Sequence, residues 1–165
     1  MKKFTKRLAI GKEWESKLLP WMENYLGANW EVEDTSDVYR DNDGDQFPDF
    51  MLTNTSTAKQ FFLDAKKRFV YRHRGYQPSF GFDKDLYTSY TNIAKKYDTI
   101  VYVSFYDPLY DPNSWYCLNL NTPPDFIFDY GDNGHGQPIC YRWYISSLKK
   151  FELNAPVVEL VDTHR

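Results

Sequence analysis

The stretch 47-FPDFMLTNTSTAKQFFLDAKKR-68 holds two apolar runs, Phe47 to Thr53 and Gln60 onward to Val70, parted by polar turn residues. Short runs divided in this way predict two strands of a hairpin. Strand side chains alternate, so Asp64 and Lys66 share one face while Leu63 and Ala65 take the other. Across the hairpin, Asp49 can lie beside Asp64, and neighbouring carboxylates repel unless a cation separates them. Hard divalent ions favour such oxygen donors, Mg²⁺ commonly taking one or two carboxylates plus water and phosphate oxygens. An adjacent lysine could orient or deprotonate a water molecule beside a phosphate held by that ion. An exposed hairpin with a surface salt bridge has the same spacing, so the surrounding sequence must decide between the two.

Upstream, Trp30 to Tyr39 alternates partially and predicts a third strand, giving a meander of three. Before it, Ile10, Trp14, Leu18, Met22 and Tyr25 recur at helical steps, with Pro20 predicting a kink or restart and Gly27 placed to end the helix. Downstream, Asp83 or Asp85 can cap a helix whose Leu86, Tyr90, Ile93, Ala94 and Tyr97 share a face. Thr99 to Tyr106 then reads as a strand buried on both sides. The order helix, three strands, helix, strand predicts an α/β fold with a mixed central β-sheet flanked by helices. Beyond Asp107 prolines and glycines mark loops, with Trp115 to Leu120 and Ile139 to Ser146 as further strands. The 165 residues are expected to form one domain, with a core over about 10–107 and a C-terminal elaboration over 108–165.

Aromatic residues make up 19% of the chain, so large rings should fill much of the core. A net charge of -3 argues against coating nucleic acid by bulk attraction, so any polyanion must meet a local basic patch. "KKRFVYRHRGYQ" supplies one, placing Lys67, Arg68, Arg72, His73 and Arg74 beside Tyr71 and Tyr76 just past Lys66. Cations there can contact phosphates, and the tyrosines can stack on unpaired bases. Cys117 and Cys140 lack metal-ligand spacing, and no long apolar span or leader-like segment stands out, so a cytoplasmic, reduced protein with no membrane partner is expected. GxxxxGK[ST] and GxGxxG stretches are absent, which argues against a nucleotide cofactor.

Pro48-Asp49, fourteen residues, then Asp64-Ala65-Lys66 resembles the bipartite signature of the PD-(D/E)XK nuclease superfamily. The resemblance implies a restriction-endonuclease-like fold and Mg²⁺- or Mn²⁺-dependent hydrolysis of DNA to 5′-phosphate ends. It further implies that Asp49 and Asp64 ligate the metal with the Ala65 carbonyl, and that Lys66 serves the attacking water. An additional acid from the first helix falls to Glu15, preferred over Glu13 because it flanks the Trp14 to Leu18 stripe. A polar group from the second helix falls to Lys84 or Tyr87. The expected partner is duplex or branched DNA, and the small size points to a homodimer that is structure-selective, like a Holliday junction resolvase, or cuts short sites. The alternative is a non-catalytic nucleic-acid-binding or structural protein on the same fold.

"DNDGDQFPD", Asp41 to Asp49, resembles a calcium loop over nine residues, making a calcium-binding module using Asp41, Asp43 and Asp45 a further alternative. An EF-hand aligned on Gly44 would meet Tyr39 and Phe50 where oxygen ligands belong, and a hairpin turn at Asp43-Gly44 explains the stretch more simply. His135 in a glycine-rich loop and His164 near the end have no metal-spaced partner.

Overall fold

In the computed structural model the described residues are 2–35, 40–131 and 139–154, with side chains described from Glu13 onward. Helix α1 spans Lys2–Leu26 and buries Trp14, Leu18, Trp21, Met22 and Leu26 along one stripe. It runs past Pro20 as one helix, without the restart that proline suggested. Pro20 is exposed, and the carbonyl four residues earlier, on exposed Ser16, can turn to water.

The predicted meander follows: β1 (Trp30–Asp34), β2 (Phe50–Asn54) and β3 (Gln60–Lys67), antiparallel with Asp34 opposite Phe50 and Phe50 opposite Leu63. A strand not foreseen, β4 (Ser79–Asp83), precedes helix α2 (Lys84–Lys96), whose N-terminus is capped by Asp83 accepting from the Leu86 N–H at 2.9 Å. Strand β5 (Val101–Tyr106), buried throughout, returns parallel to β3, so α2 lies on the crossover. Strand β6 (Ser114–Asn119) lines up antiparallel to β5, and β9 (Lys149–Glu152) pairs with β6. The central sheet thus runs β1-β2-β3-β5-β6-β9. Strands β7 (Phe126–Asp129) and β8 (Ile139–Tyr144) instead join β4 in a separate sheet ordered β4-β8-β7. The fold is therefore mixed α/β, its first six elements besides β4 following the helix, three strands, helix, strand order expected from the sequence.

Alternation in β3 divides the core. Phe61, Leu63 and Ala65 pack with the α1 stripe, together with Tyr102 and Trp115. Phe62 packs on the opposite face with Val101, Val103 and Phe105 beneath α2 and the small sheet. Trp14 Nε1 donates to Ser104 Oγ at 3.1 Å, and Ser104 Oγ donates to the Asp64 carbonyl at 2.8 Å, so α1 is tied through β5 to the backbone of the strand that matters most. No helix among the described residues is long and apolar enough to cross a membrane. Cys117 and Cys140 are both free thiols.

Candidate metal-binding active site

At the C-terminal end of β3, Asp64 faces the α2 side and is 1% exposed. Asp49, just ahead of β2, lies across from it: Asp49 N–H donates to Asp64 Oδ1 at 3.2 Å, and Ala65 N–H donates to Asp49 Oδ2 at 2.9 Å. The Pro48-Asp49 backbone is held from the other side, because Thr35 N–H donates to the Asp49 carbonyl at 2.7 Å and the Thr35 hydroxyl donates to the Pro48 carbonyl. Lys66, two residues on from Asp64 and on the same face, sets its ammonium 2.7 Å from Asp64 Oδ2. Two carboxylates and an amine therefore converge at one point.

Electrostatics couple the three groups. Burial and the charge of Asp64 push the Asp49 carboxyl up to about 9, so it holds a proton at neutral pH. Burial also opposes ionisation of Asp64, but the Lys66 ammonium and hydrogen bonding from Asp49 outweigh it and keep Asp64 below its ordinary value. One proton thus serves two acids. Asp64 Oδ2 is held by the Lys66 ammonium, and the buried Tyr90 hydroxyl on α2 is directed at the same carboxylate. Burial, then the charges of Asp64 and Asp49, push the Tyr90 phenol well above its usual range, and the Lys66 ammonium stands 5.8 Å from its ring centroid. An all-oxygen set of two buried, adjacent carboxylates suits a hard divalent cation that keeps other positions for water or phosphate.

No protein-family model matches this chain, and no curated protein matches it. Among solved structures, it is similar to Hjc, a Holliday junction resolvase from the archaeal hyperthermophile Archaeoglobus fulgidus, at 13% identity and a TM-score of 0.48. That match covers 92% of this chain and 95% of the other.

The remaining sequence candidates fall in different places. Among the described residues no group of three His, Cys, Asp or Glu side chains forms a metal cage, so Glu15 is not drawn to the pair. The reason is sidedness: α1 packs on the face of Leu63 and Ala65, opposite Asp64 and Lys66. Lys67 also points to the α1 side, where its ammonium pairs with Glu13 Oε2 at 3.0 Å. On α2 the group brought to the carboxylates is Tyr90, not Lys84 or Tyr87; Lys84 is exposed in the first turn and Tyr87 packs against Tyr141 at 4.4 Å. Tyr90 was legible in the sequence only as one of the helix's core positions. Arg68, Arg72 and Arg74 are exposed, whereas burial and then Arg142 depress the His73 imidazole, so it adds no cation to them. His135 and His164 lie outside the described residues.

Thr35 makes a specific expectation. Thr35→Val keeps the buried shape but removes the hydroxyl anchor on Pro48, so stability should fall by roughly 1 kcal/mol, one hydrogen bond's worth, while the fold survives. A melting curve identical to the parent's would show that the Pro48-Asp49 backbone needs no such anchor.

The acidic loop has its own cation. Gly44 N–H donates to the Asp41 carbonyl at 3.0 Å with Gly44 at φ 84°, closing the hairpin turn expected there. The Lys96 ammonium then sits 2.5 Å from Asp41 Oδ2 and 2.7 Å from both Asp43 Oδ2 and Asp45 Oδ2. Hydrogen bonds to these acids raise the Lys96 pKa and lower those of Asp41 and Asp45. Lysine occupies the place a calcium ion would take. Lys96→Ala should therefore gain a Ca²⁺-dependent rise in melting temperature that the parent protein lacks; Ca²⁺ stabilisation of the parent through this loop would contradict the assignment.

Proposed function

We propose that this protein is a metal-dependent nuclease that hydrolyses DNA phosphodiester bonds at the Asp49, Asp64 and Lys66 cluster. The observation that supports this reading is the meeting of two buried carboxylates from adjoining strands with a lysine ammonium on the same face. Asp49 and Asp64 would hold Mg²⁺ or Mn²⁺, with the Ala65 carbonyl as an additional donor. When bound, such an ion supplies positive charge against the negative charge that builds on the phosphate.

The chain's own groups divide the remaining work. Lys66 has N–H donors beyond the one nearest Asp64, and these can hold an attacking water by its lone pair or steady a phosphate oxygen. Asp64, fixed through the Ser104 link and by Lys66, keeps that ammonium aimed. Tyr90, fully buried on α2, would offer its hydroxyl to Asp64. In the hydrolysis the hydroxyl of water goes to phosphorus and its hydrogen to the departing 3′ oxygen, leaving a 5′-phosphate and a 3′-hydroxyl. Arg68, Arg72 and Arg74 continue from β3 and would bind flanking phosphates, while Lys67, paired with Glu13, contributes less. Two copies acting together would suit cleavage of both strands or of a branched junction.

A second reading, a DNA-binding protein that cleaves nothing, is favoured by the lack of a third acid beside the pair among the described residues. Incubation with plasmid, single-stranded and four-way-junction DNA in Mg²⁺, Mn²⁺, Ca²⁺ or chelator separates the two. Nicking or linearisation in Mg²⁺ or Mn²⁺ but not in chelator is expected; binding without cleavage of any substrate favours the second reading.

A further inference from the structure

The segment after β3 is a built hairpin rather than a loose loop. Tyr71 and Ser79 exchange backbone hydrogen bonds of 3.0 and 2.8 Å at its base. Its tip closes by Tyr76 N–H donating to the His73 carbonyl at 2.9 Å, with Gly75 at φ 82°. The Tyr76 ring stacks on Phe126 of β7 at 4.2 Å and 20°. His73 packs on Phe128 at 4.2 Å and hydrogen-bonds through Nε2 with the Tyr130 hydroxyl at 2.8 Å. From below, buried Arg142 donates to the Ser79 carbonyl at 2.7 Å and to Ser79 Oγ at 3.1 Å, and its guanidinium lies 5.7 Å from the Tyr71 ring centroid. It reaches there across Gly81, where a Cβ would come within 2.6 Å of its Cδ and 2.4 Å of the Tyr141 carbonyl oxygen. At the other end, Val70 N–H donates to Asp107 Oδ2 at 2.8 Å, fixing the hairpin to the end of the sheet that carries Asp64 and Lys66.

What this rigid hairpin displays is aromatic and cationic together. Phe69 is 62% exposed and Tyr71 55%, and Tyr76 and Tyr130 are also exposed. Arg72 and Arg74 are exposed and, among the described residues, enter no ion pair. An open cavity of about 540 Å³ runs between Arg72, Arg74, Tyr76 and Tyr144. The carboxylates of Asp125 and Asp129 at β7 are turned into backbone, Asp125 accepting from Tyr144 N–H at 2.7 Å and Asp129 from Gly131 N–H at 2.8 Å. An apolar protein partner would bury the two guanidiniums unpaired, which is costly. Nucleotides without a paired strand satisfy both features, offering base faces to the rings and phosphates to the arginines.

We propose that the 71–79 hairpin and the edge of β7 form a platform for unpaired DNA bases, making duplex with an adjoining single-stranded arm the preferred substrate class. The platform itself is independent of catalysis, but its role in feeding the cluster rests on the nuclease reading. Because stacking contributes roughly 1–3 kcal/mol per base, a ten-nucleotide arm should tighten binding at least about tenfold over a blunt duplex.

The test is fluorescence anisotropy in chelator, with a labelled blunt 20-base-pair duplex and the same duplex carrying a ten-nucleotide DNA arm. Tyr71→Ala with Tyr76→Ala should erase the arm preference and leave blunt-duplex affinity within about twofold, whereas Tyr71→Phe with Tyr76→Phe should retain it. Arg72→Gln with Arg74→Gln should weaken both probes and lower the salt slope by up to about two. Should the double alanine variant fail to melt like the parent, Tyr71→Ala alone replaces it, since that ring is more than half exposed. Equal affinity of the parent for both probes, an arm preference that survives loss of the rings, or a stronger preference for an RNA arm overturns the proposal. An arm preference without cleavage in Mg²⁺ sinks only the nuclease reading, and cleavage without arm preference sinks only the platform.

Discussion

Lys66→Ala and Asp64→Asn are each expected to slow Mg²⁺-dependent DNA cleavage by at least about 100-fold while leaving DNA binding in chelator within a few-fold of the parent. The magnitude follows from what each change removes. A single preorganised donor or charge aimed at a developing anion is typically worth about 10²–10³ in rate. In the proposed mechanism Lys66 would provide that donor, and Asp64, 2.7 Å from its ammonium, would both aim it and offer a metal its carboxylate. Neither residue belongs to the exposed arginines, so binding should persist. Asn is chosen at position 64 because it keeps the volume and the Oδ1 acceptor for Asp49 N–H. Parallel cleavage time courses at saturating DNA, with melting curves for each variant, give the comparison. Cleavage at the parent rate in both folded variants would remove the cluster from catalysis.

The second large effect is on stability, and its sign is set by Asp49. With its carboxyl pushed up to about 9 by burial and the Asp64 charge, the folded protein keeps a proton there that the unfolded chain releases near pH 4. Between those limits the native state binds more protons, so metal-free stability should fall as pH rises from about 4 to about 9, by up to ~1.4 kcal/mol per pH unit from this group. Asp64, held below its ordinary value, acts in the opposite sense but only at the acid end of the range. Asp49→Asn should flatten the decline and stabilise the metal-free protein at pH 8. Mg²⁺ binding should release close to one proton at neutral pH, measurable as a buffer-dependent heat in calorimetry. Denaturation midpoints that rise between pH 5 and 8 in chelator, with no change in Asp49→Asn, would show that the two carboxylates are not competing for one proton.

Much of the core was legible because local signals and global order agreed. The Trp14, Leu18, Met22 stripe and the three-strand meander appear as expected; of the two acids offered as cap Asp83 is the one used, and the doubly buried strand occupies Val101–Tyr106 within the expected Thr99 to Tyr106. The apposition of Asp49 with Asp64 was legible for the same reason, since strand alternation and a hairpin leave little freedom in register. Strand β4 escaped because Gly81 interrupts its apolar pattern; its pairing is decided by Arg142 crossing that gap, a long-range fact no local window carries. Strands β7 and β9 are four residues each, too short for a period to declare itself. Ile139 to Ser146 was rightly a strand over most of its length, but nothing local said that it would join β4 rather than the central sheet.

The candidate site shows the same division. Residues joined by strand spacing were found, whereas those joined by packing across layers were not. Tyr90 reaches Asp64 only because α2 crosses over that face, and Lys96 reaches the acidic loop from 51 positions beyond Asp45. Glu15 failed to join the pair because α1 lies on the far face of the sheet, a matter of handedness in the connections that helical periodicity cannot express.

The most direct measurement is a Mn²⁺ titration followed by electron paramagnetic resonance on the parent protein, Asp49→Asn and Asp64→Asn. The account predicts saturable Mn²⁺ binding in the parent that is lost or weakened at least about tenfold in both variants. Equal Mn²⁺ binding in all three proteins, or none in the parent with DNA present, would contradict it.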